Sequence, residues 1–197
     1  MGKELLIFLL ILSIGMIFIQ LIRIKKMKKY IKTIKKIRET LYDVSYTISN
    51  TDNEEEIYSR ILNVSINLIP YASKGSILIL EDNNRFYYKT LVGYPKVLQD
   101  ISLTKEELFI NNIKSKGSII IKNPSKFDEN FLSKEKNNKL IKNNALDISC
   151  TISSPLYIDN SLIGLLNIDS TSYNKTFTEE DRMFMDYIKN ELELVLK

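Results

Sequence analysis

Residues 149–182 read SCTISSPLYIDNSLIGLLNIDSTSYNKTFTEEDR, two apolar β-rich runs meeting at Asp159-Asn160 and a helix start beyond them. Two Asx-type residues between such runs suit a two-residue hairpin loop, because both central positions need φ > 0 and Asn and Asp tolerate it. With Asp159-Asn160 as the loop, uninterrupted pairing sets Ile158 against Ser161, Ser154 against Leu165 and Ile152 against Asn167, on one face. The other face then carries Thr151, Ser153, Tyr157, Leu162, Gly164, Leu166 and Ile168. Both sets are largely apolar, so the hairpin is expected to be covered on both sides.

Past Asp169 the polar run STSYNKT breaks the alternation. Thr178 with Asp181 three residues on forms an acidic capping box, and Glu179 and Glu180 sit favourably at the positive end of the helix dipole. The helix that follows aligns Phe184, Ile188, Leu192 and Val195 on one stripe, flanked by Tyr187 and Leu194, and is expected to run to the last residue.

Pro155-Leu156, Asp159-Asn160, Ile163-Gly164-Leu165-Leu166 and Phe177-Thr178-Glu179-Glu180-Asp181, in that joint spacing, resemble the closing half of a GAF domain, a small-molecule sensor module of signalling proteins. By order of elements the resemblance covers residues 41–197. It implies an α+β fold: a GAF-like antiparallel β-sheet with helices on both faces and a ligand cavity between the sheet and its middle loops and helices. Tyr88, Asn123, Phe127, Thr151, Ser153 and Asn167 are the polar or aromatic groups on elements bordering that cavity in the family, and are the candidate ligand-binding residues. By the register above, Thr151, Ser153 and Asn167 come from two faces, so not all of them line one pocket. GAF domains of cyclic-nucleotide phosphodiesterases carry Asn-Lys, a gap, Phe, three residues and Asp-Glu. Here Asn167, Phe177 and Asp181 match, but Ile168 replaces the Lys and Arg182 the Glu, which removes the salt bridge that secures those domains around the nucleotide. A structural reading fits these residues better: Asn167 and Asp169 pair locally at a strand end, and Phe177 seals the helix entry.

Ahead of the domain, residues 5–22 are unbroken apolar sequence except for Ser13 and Gln20. Eighteen residues at ~1.5 Å each reach about 27 Å, close to the hydrocarbon thickness. Against a secretory signal, the basic charge follows the run, the run is long and no small-residue cleavage site ends it, so a retained transmembrane helix is expected. Gly2 invites myristoylation, but Leu6 stands where that motif wants Ser or Thr. Residues 23–38 hold nine cations and no acid, which orients the helix with its C-terminal side in the cytoplasm and suits anionic lipid headgroups. Of the chain's net +4, residues 39–197 carry −5. An acidic domain lacks the clustered cations that phosphate neutralisation needs, so no nucleic-acid partner is expected. Ile24, Met27, Ile31 and Ile34, then Ile37, Leu41, Val44 and Ile48, form a 3-4 spaced seam with one stammer. It reads as a stalk at residues 23–40 that supports a homodimer and passes into the first helix of the domain.

Within the domain, Thr51 with Glu54, or Asp52 with Glu55, offers a capping box for a helix that carries Ile57, Ile61, Val64 and Leu68 and stops at Pro70. Strands are expected at residues 76–80, 86–92 and 118–121, with a turn at Asp82-Asn83-Asn84 and a Thr104/Glu107-capped helix through Ile113 between the last two. Residues 125–147 read as a loosely packed polar excursion, where the resembled family places a mobile cover over its ligand.

The inventory argues against catalysis. The chain has no His, one Cys, no Gly-rich phosphate loop and no metal-spaced cluster, so no enzyme, cofactor or metal site is expected. Cys150 reads as a small buried hydrophobe. One GAF-fold enzyme family reduces free methionine sulfoxide with more than one cysteine, which this chain does not offer. The expected protein is a bacterial-type, single-pass inner-membrane sensor whose cytoplasmic domain binds an unknown small molecule and signals through its first and last helices. Its sequence ends with the last helix, so a separate effector protein, or a remnant of a longer receptor such as a diguanylate cyclase, is anticipated. A ligand-free dimerisation or adaptor module is the alternative.

Overall fold

The structure, a computed structural model, describes residues 2–48, 53–110 and 116–197. The chain divides into two compact units, residues 1–39 and 40–197. Helix α1 (Gly2–Ile48) supplies the first and its last turns belong to the second. The described apolar side chains of the stretch, from Leu5 and Ile7 through Ile22, include a long exposed series, and the segment Gly2–Glu39 is long and apolar enough to cross a membrane.

In the second unit, capping boxes at Thr51 or Asp52 fall outside the described residues. Asn53 caps α2 (Glu54–Leu68), its Oδ1 accepting from the Glu55 N–H at 3.0 Å and the Glu56 N–H at 3.4 Å. Three acids follow in the first turn, where the dipole favours them. Strands β1 (Lys74–Leu80), β2 (Phe86–Val92), β3 (Ser102–Leu103), β4 (Ile119–Lys122), β5 (Cys150–Ile158) and β6 (Ser161–Ser170) form one sheet in the order β3-β2-β1-β6-β5-β4. Every pairing in it is antiparallel. The two-residue β3 is too short to carry an alternation, and the sequence does not reveal it.

The hairpin loop is as expected: Asp159 (φ 48°) and Asn160 (φ 67°) both lie in the left-handed region between β5 and β6. The register beyond it is not. Tyr157 pairs with Leu162 but Leu156 with Gly164, leaving Ile163 as an extra residue opposite neither. This β-bulge moves every pair nearer the strand ends by one position, so Ser153 faces Asn167, Ser154 faces Leu166 and Ile152 faces Ile168. Gly164 lies where the strands crowd most: a Cβ there would collide with the Leu78 carbonyl oxygen and the Ile79 side chain.

As expected, both faces are covered. One carries Ile77, Ile152, Leu156, Leu166 and Ile168, all buried, against α2 and α5 (Glu179–Val195). Helix α5 presents Phe184, Met185, Ile188 and Leu192 from its buried side. Thr178 and Asp181 complete the expected capping box, with the Thr178 N–H donating to Asp181 Oδ2 at 2.8 Å and the Asp181 N–H to Thr178 Oγ1 at 3.2 Å. The other face is roofed by a 3-10 turn (Lys96–Asp100), a second one (Lys105–Glu107), and helices α3 (Ser125–Phe131) and α4 (Lys134–Lys142). Thr104 and Glu107 form their capping box, but it closes a single turn; the helix end expected at Ile113 lies outside the described residues. Residues 125–147, read as a loose excursion, contain two short helices; Leu140 of α4 is buried in the core, while Phe131 and Ile141 stay exposed.

Candidate functional site

Between the roofed sheet face and its cover lies a cavity of about 70 Å³. Counted at roughly 10–15 Å³ per water, that is room for about five waters or an organic molecule of similar size. Its floor is strand: Ser76 and Leu78 of β1, Tyr88 and Leu91 of β2, Leu165, Asn167 and Asp169 of β6. Leu98, Leu103, Leu108, Leu132 and Leu140 wall it, and Glu107 and Asp128 add carboxylates from the roof.

The bulge at Ile163 decides what the floor offers. With pairing shifted by one, Asn167 and Asp169 share a face with Thr151, Ser153 and Ser76, so polar side chains meet across three strands. The Ser153 hydroxyl donates to Asn167 Oδ1 at 2.7 Å, and Asn167 Nδ2 donates to Ser76 Oγ at 3.3 Å. Thr151 Oγ1 donates to Asp169 Oδ1 at 2.6 Å, and the Tyr94 hydroxyl to Asp169 Oδ2 at 2.8 Å. Asn167 and Asp169 therefore do not pair with each other at a strand end; each is held by its neighbours on adjoining elements. Such burial without hydrogen bonds would cost several kcal/mol in total, at about 1–3 per group.

Electrostatically the cavity is acidic. Its described lining holds Glu107, Asp128 and Asp169 and no Lys or Arg. Burial pushes Asp169 up to about 6, against the opposing pull of its bonds to Thr151 and Tyr94 and of Lys74. Burial, then repulsion from Asp169 and Glu129, pushes Asp128 up to about 7. Burial and the same carboxylates hold the Tyr88 and Tyr94 phenols protonated, well above their ordinary range. Glu107 is neutralised by Lys136 at 2.5 Å.

Of the residues singled out from sequence, Tyr88 and Asn167 line the cavity. Thr151 and Ser153 lie on the same face, positioning Asp169 and Asn167. Asn123 is exposed in the left-handed turn (φ 51°) between β4 and α3, away from the lining. Phe127 also lies outside it, stacked on Phe131 at 4.2 Å between ring centroids and edge-on to Phe109 at 5.1 Å. Sequence reasoning missed Asp169, Tyr94 and Asp128. The first had a signal, since it alternates with Asn167 and Leu165 on one strand; the others come from roof segments without periodicity.

Elsewhere the chemistry is sparse. Cys150 is fully buried, and burial raises its thiol above the ordinary value, which disfavours the reactive thiolate. Among the described residues no group of three or more His, Cys, Asp or Glu could hold a metal ion. Of the partial cyclic-nucleotide signature, Asp181 is committed to capping α5 and Ile168 points into the dry core.

No family model matches the sequence, and no curated protein matches it. Solved structures do. The GAF domain of a phosphoenolpyruvate-protein phosphotransferase from Coxiella burnetii is similar at TM-score 0.63 and 17% identity, over 83% of this chain and 94% of that one. A phycoerythrobilin-bound GAF domain of a cyanobacterial phytochrome gives TM-score 0.60 and 14% identity, over 81% and 93%. Free methionine-R-sulfoxide reductase of Neisseria meningitidis, in complex with its substrate, gives 0.58 and 13%, over 82% and 89%. Likeness at such identities carries architecture rather than activity, and by that measure this six-stranded antiparallel sheet, with helices on both faces, is a GAF-like fold.

Proposed function

We propose that the chain is a membrane-anchored sensory protein whose GAF-like domain, on the cytoplasmic side, takes a small molecule into the cavity over β1, β2 and β6. The observation that carries this reading is the cavity itself: apolar walls with a few convergent polar groups, the usual composition of a ligand site. A guest would act by binding one packing of the roof and helices more tightly than another, since only differential affinity shifts such an equilibrium. The membrane assignment is supported by the exposed apolar stretch of α1 and the nine cations that follow it.

Native mass spectrometry of the full chain released from detergent tests the ligand reading: a retained mass in the small-molecule range is expected. Its absence, together with no thermal shift across a broad metabolite library, would leave the alternative of a ligand-free adaptor. That second reading is favoured by Ile24, Met27 and Ile31, which are exposed along the seam of α1. It expects self-association that is lost when Ile24, Met27 and Ile31 become polar. Protease protection in inverted membrane vesicles tests the placement, with the domain expected to be digested from the cytoplasmic side.

A further inference from the structure

Two of the cavity's polar groups are unspent, in contrast to the satisfied floor. Among the described residues, nothing donates a hydrogen bond to the Asp128 carboxylate, and the Tyr88 hydroxyl has no partner. Both line the same void. Asp128 faces Asp169 across it, and the described lining holds no cation; Lys74, over the Tyr94 ring at 5.0 Å, acts on Asp169, and Lys136 is paired with Glu107, which leaves Asp128 without a cationic partner among the described residues.

We propose that the cavity recognises a small organic cation, a protonated amine or guanidine on a short aliphatic body, with Asp128 as its anionic partner. This rests on the reading of the cavity as a ligand site and names the class of its guest. A metal ion would need several oxygen ligands converging at once, whereas apolar side chains form most of this wall. An anion would meet the carboxylates of Asp128 and Asp169. A neutral apolar guest would leave Asp128 and Tyr88 as they are, uncompensated. An ammonium or guanidinium group supplies the missing donor and the missing charge together, and the Tyr88 ring adds a surface on which a cation is welcome. The walls suit four or five carbon atoms, about the volume available.

The charge balance has a signature in pH. Asp128 stands at about 7, so near neutrality it is only partly ionised, and a cation binds the ionised form. Affinity for a cation is therefore expected to rise between pH 6 and 8. The other groups facing Asp128 are Asp169 from β6 and Glu129 from its own helix, Tyr88 from β2 and Tyr94 beyond it, and Glu107, already paired with Lys136 of α4. Asp169, at about 6, titrates in the same range, and its ionisation acts in the same direction.

The experiment compares three probes of one shape on the full chain in detergent, by thermal shift and ligand-observed NMR: butylammonium, 1-butanol and butyrate. Butylammonium is expected to bind about tenfold or more tightly than 1-butanol at pH 8, with butyrate weakest and only the butylammonium affinity falling toward pH 6. In Asp128→Asn the preference for the cation over the alcohol is expected to vanish while 1-butanol binding persists. Equal binding of the alcohol and the amine, or tighter binding of butyrate, overturns the cationic class and leaves the cavity a ligand site. Binding of none of the three overturns the short aliphatic cation as the guest, while the ligand reading itself stands or falls with the retained mass and the metabolite library. A cation preference that survives Asp128→Asn, or that shows no pH dependence in the unaltered chain, overturns the role given to Asp128.

Discussion

One sheet, two faces, two kinds of interior. Toward α2 and α5 the strands offer Ile77, Ile152, Leu156, Leu166 and Ile168, buried and in contact with helices long enough to hold an apolar stripe. Toward the roof the same strands offer Ser76, Ser153, Asn167, Thr151 and Asp169 under segments of three to nine residues, with a void between. The first arrangement maximises buried apolar area and close packing. The second gives up part of that, keeping polar atoms bonded to one another and carbon walls facing empty space. The dry face is scaffold; the roofed face is where a guest can be admitted at the least loss of structure.

The largest expected difference is in truncation. Leu166→Ala, on the dry face, should lower stability by about 4 kcal/mol, because long helices cannot collapse into the hole. Leu98→Ala, at the cavity wall, should cost only about 2 kcal/mol, since a side chain already facing a void has fewer neighbours to lose. Urea unfolding of the two variants in detergent measures the gap; equal losses would mean that the two interiors are packed alike.

Next is pH. The folded values of Asp169, about 6, and Asp128, about 7, stand above the ordinary 3.8. The fold thus favours their protonated forms, and the stabilisation they contribute is complete below about pH 4 and is lost as pH rises through 6 and 7. A decline of several kcal/mol between pH 4 and 8 is expected from unfolding curves, and Asp128→Asn should flatten its upper part. A stability that rises over this interval would show that the two carboxylates are not uncomfortable in the fold.

The smallest effect belongs to single floor bonds. Tyr94→Phe removes the donor to Asp169 Oδ2 and should cost about 1 kcal/mol. It should also move the Asp169 titration further up, because a bond that favoured the charged form is gone. The carboxyl carbon resonance of Asp169 followed by NMR against pH reports that shift directly.

How much of this was legible beforehand follows the same divide. The strands β1, β2, β5 and β6, the Asp159-Asn160 loop and the Thr178/Asp181 cap each carry a local chemical reason for their conformation, and each could be read from a few adjacent residues. The roof could not. Its residues, Asp128 and Tyr94 among them, sit where they do because of the sheet beneath, and short polar helices such as α3 and α4 leave too few apolar positions to show a period. The cavity floor lay between these cases. Asn167 and Asp169 were visible as polar positions in a β run, but their assignment to one face with Ser153 and Thr151 depended on one unpaired residue. Straight counting back from the loop cannot detect a bulge, and this one lies beside Gly164, where the chain packs closely on β1.

That unpaired residue, Ile163, sets a rule of parity for the hairpin. Between the loop and the bulge, odd and even positions have one meaning; from Gly164 to Ser170 they have the other. Deleting Ile163, or inserting one residue beside it, would exchange the inward and outward addresses of half a strand, sending Asn167 and Asp169 toward the helices and Leu166 and Ile168 toward the void. Length changes should therefore be tolerated at the tip of this hairpin and nowhere along its lower half, so the count of residues there is as much a part of the site as their chemistry.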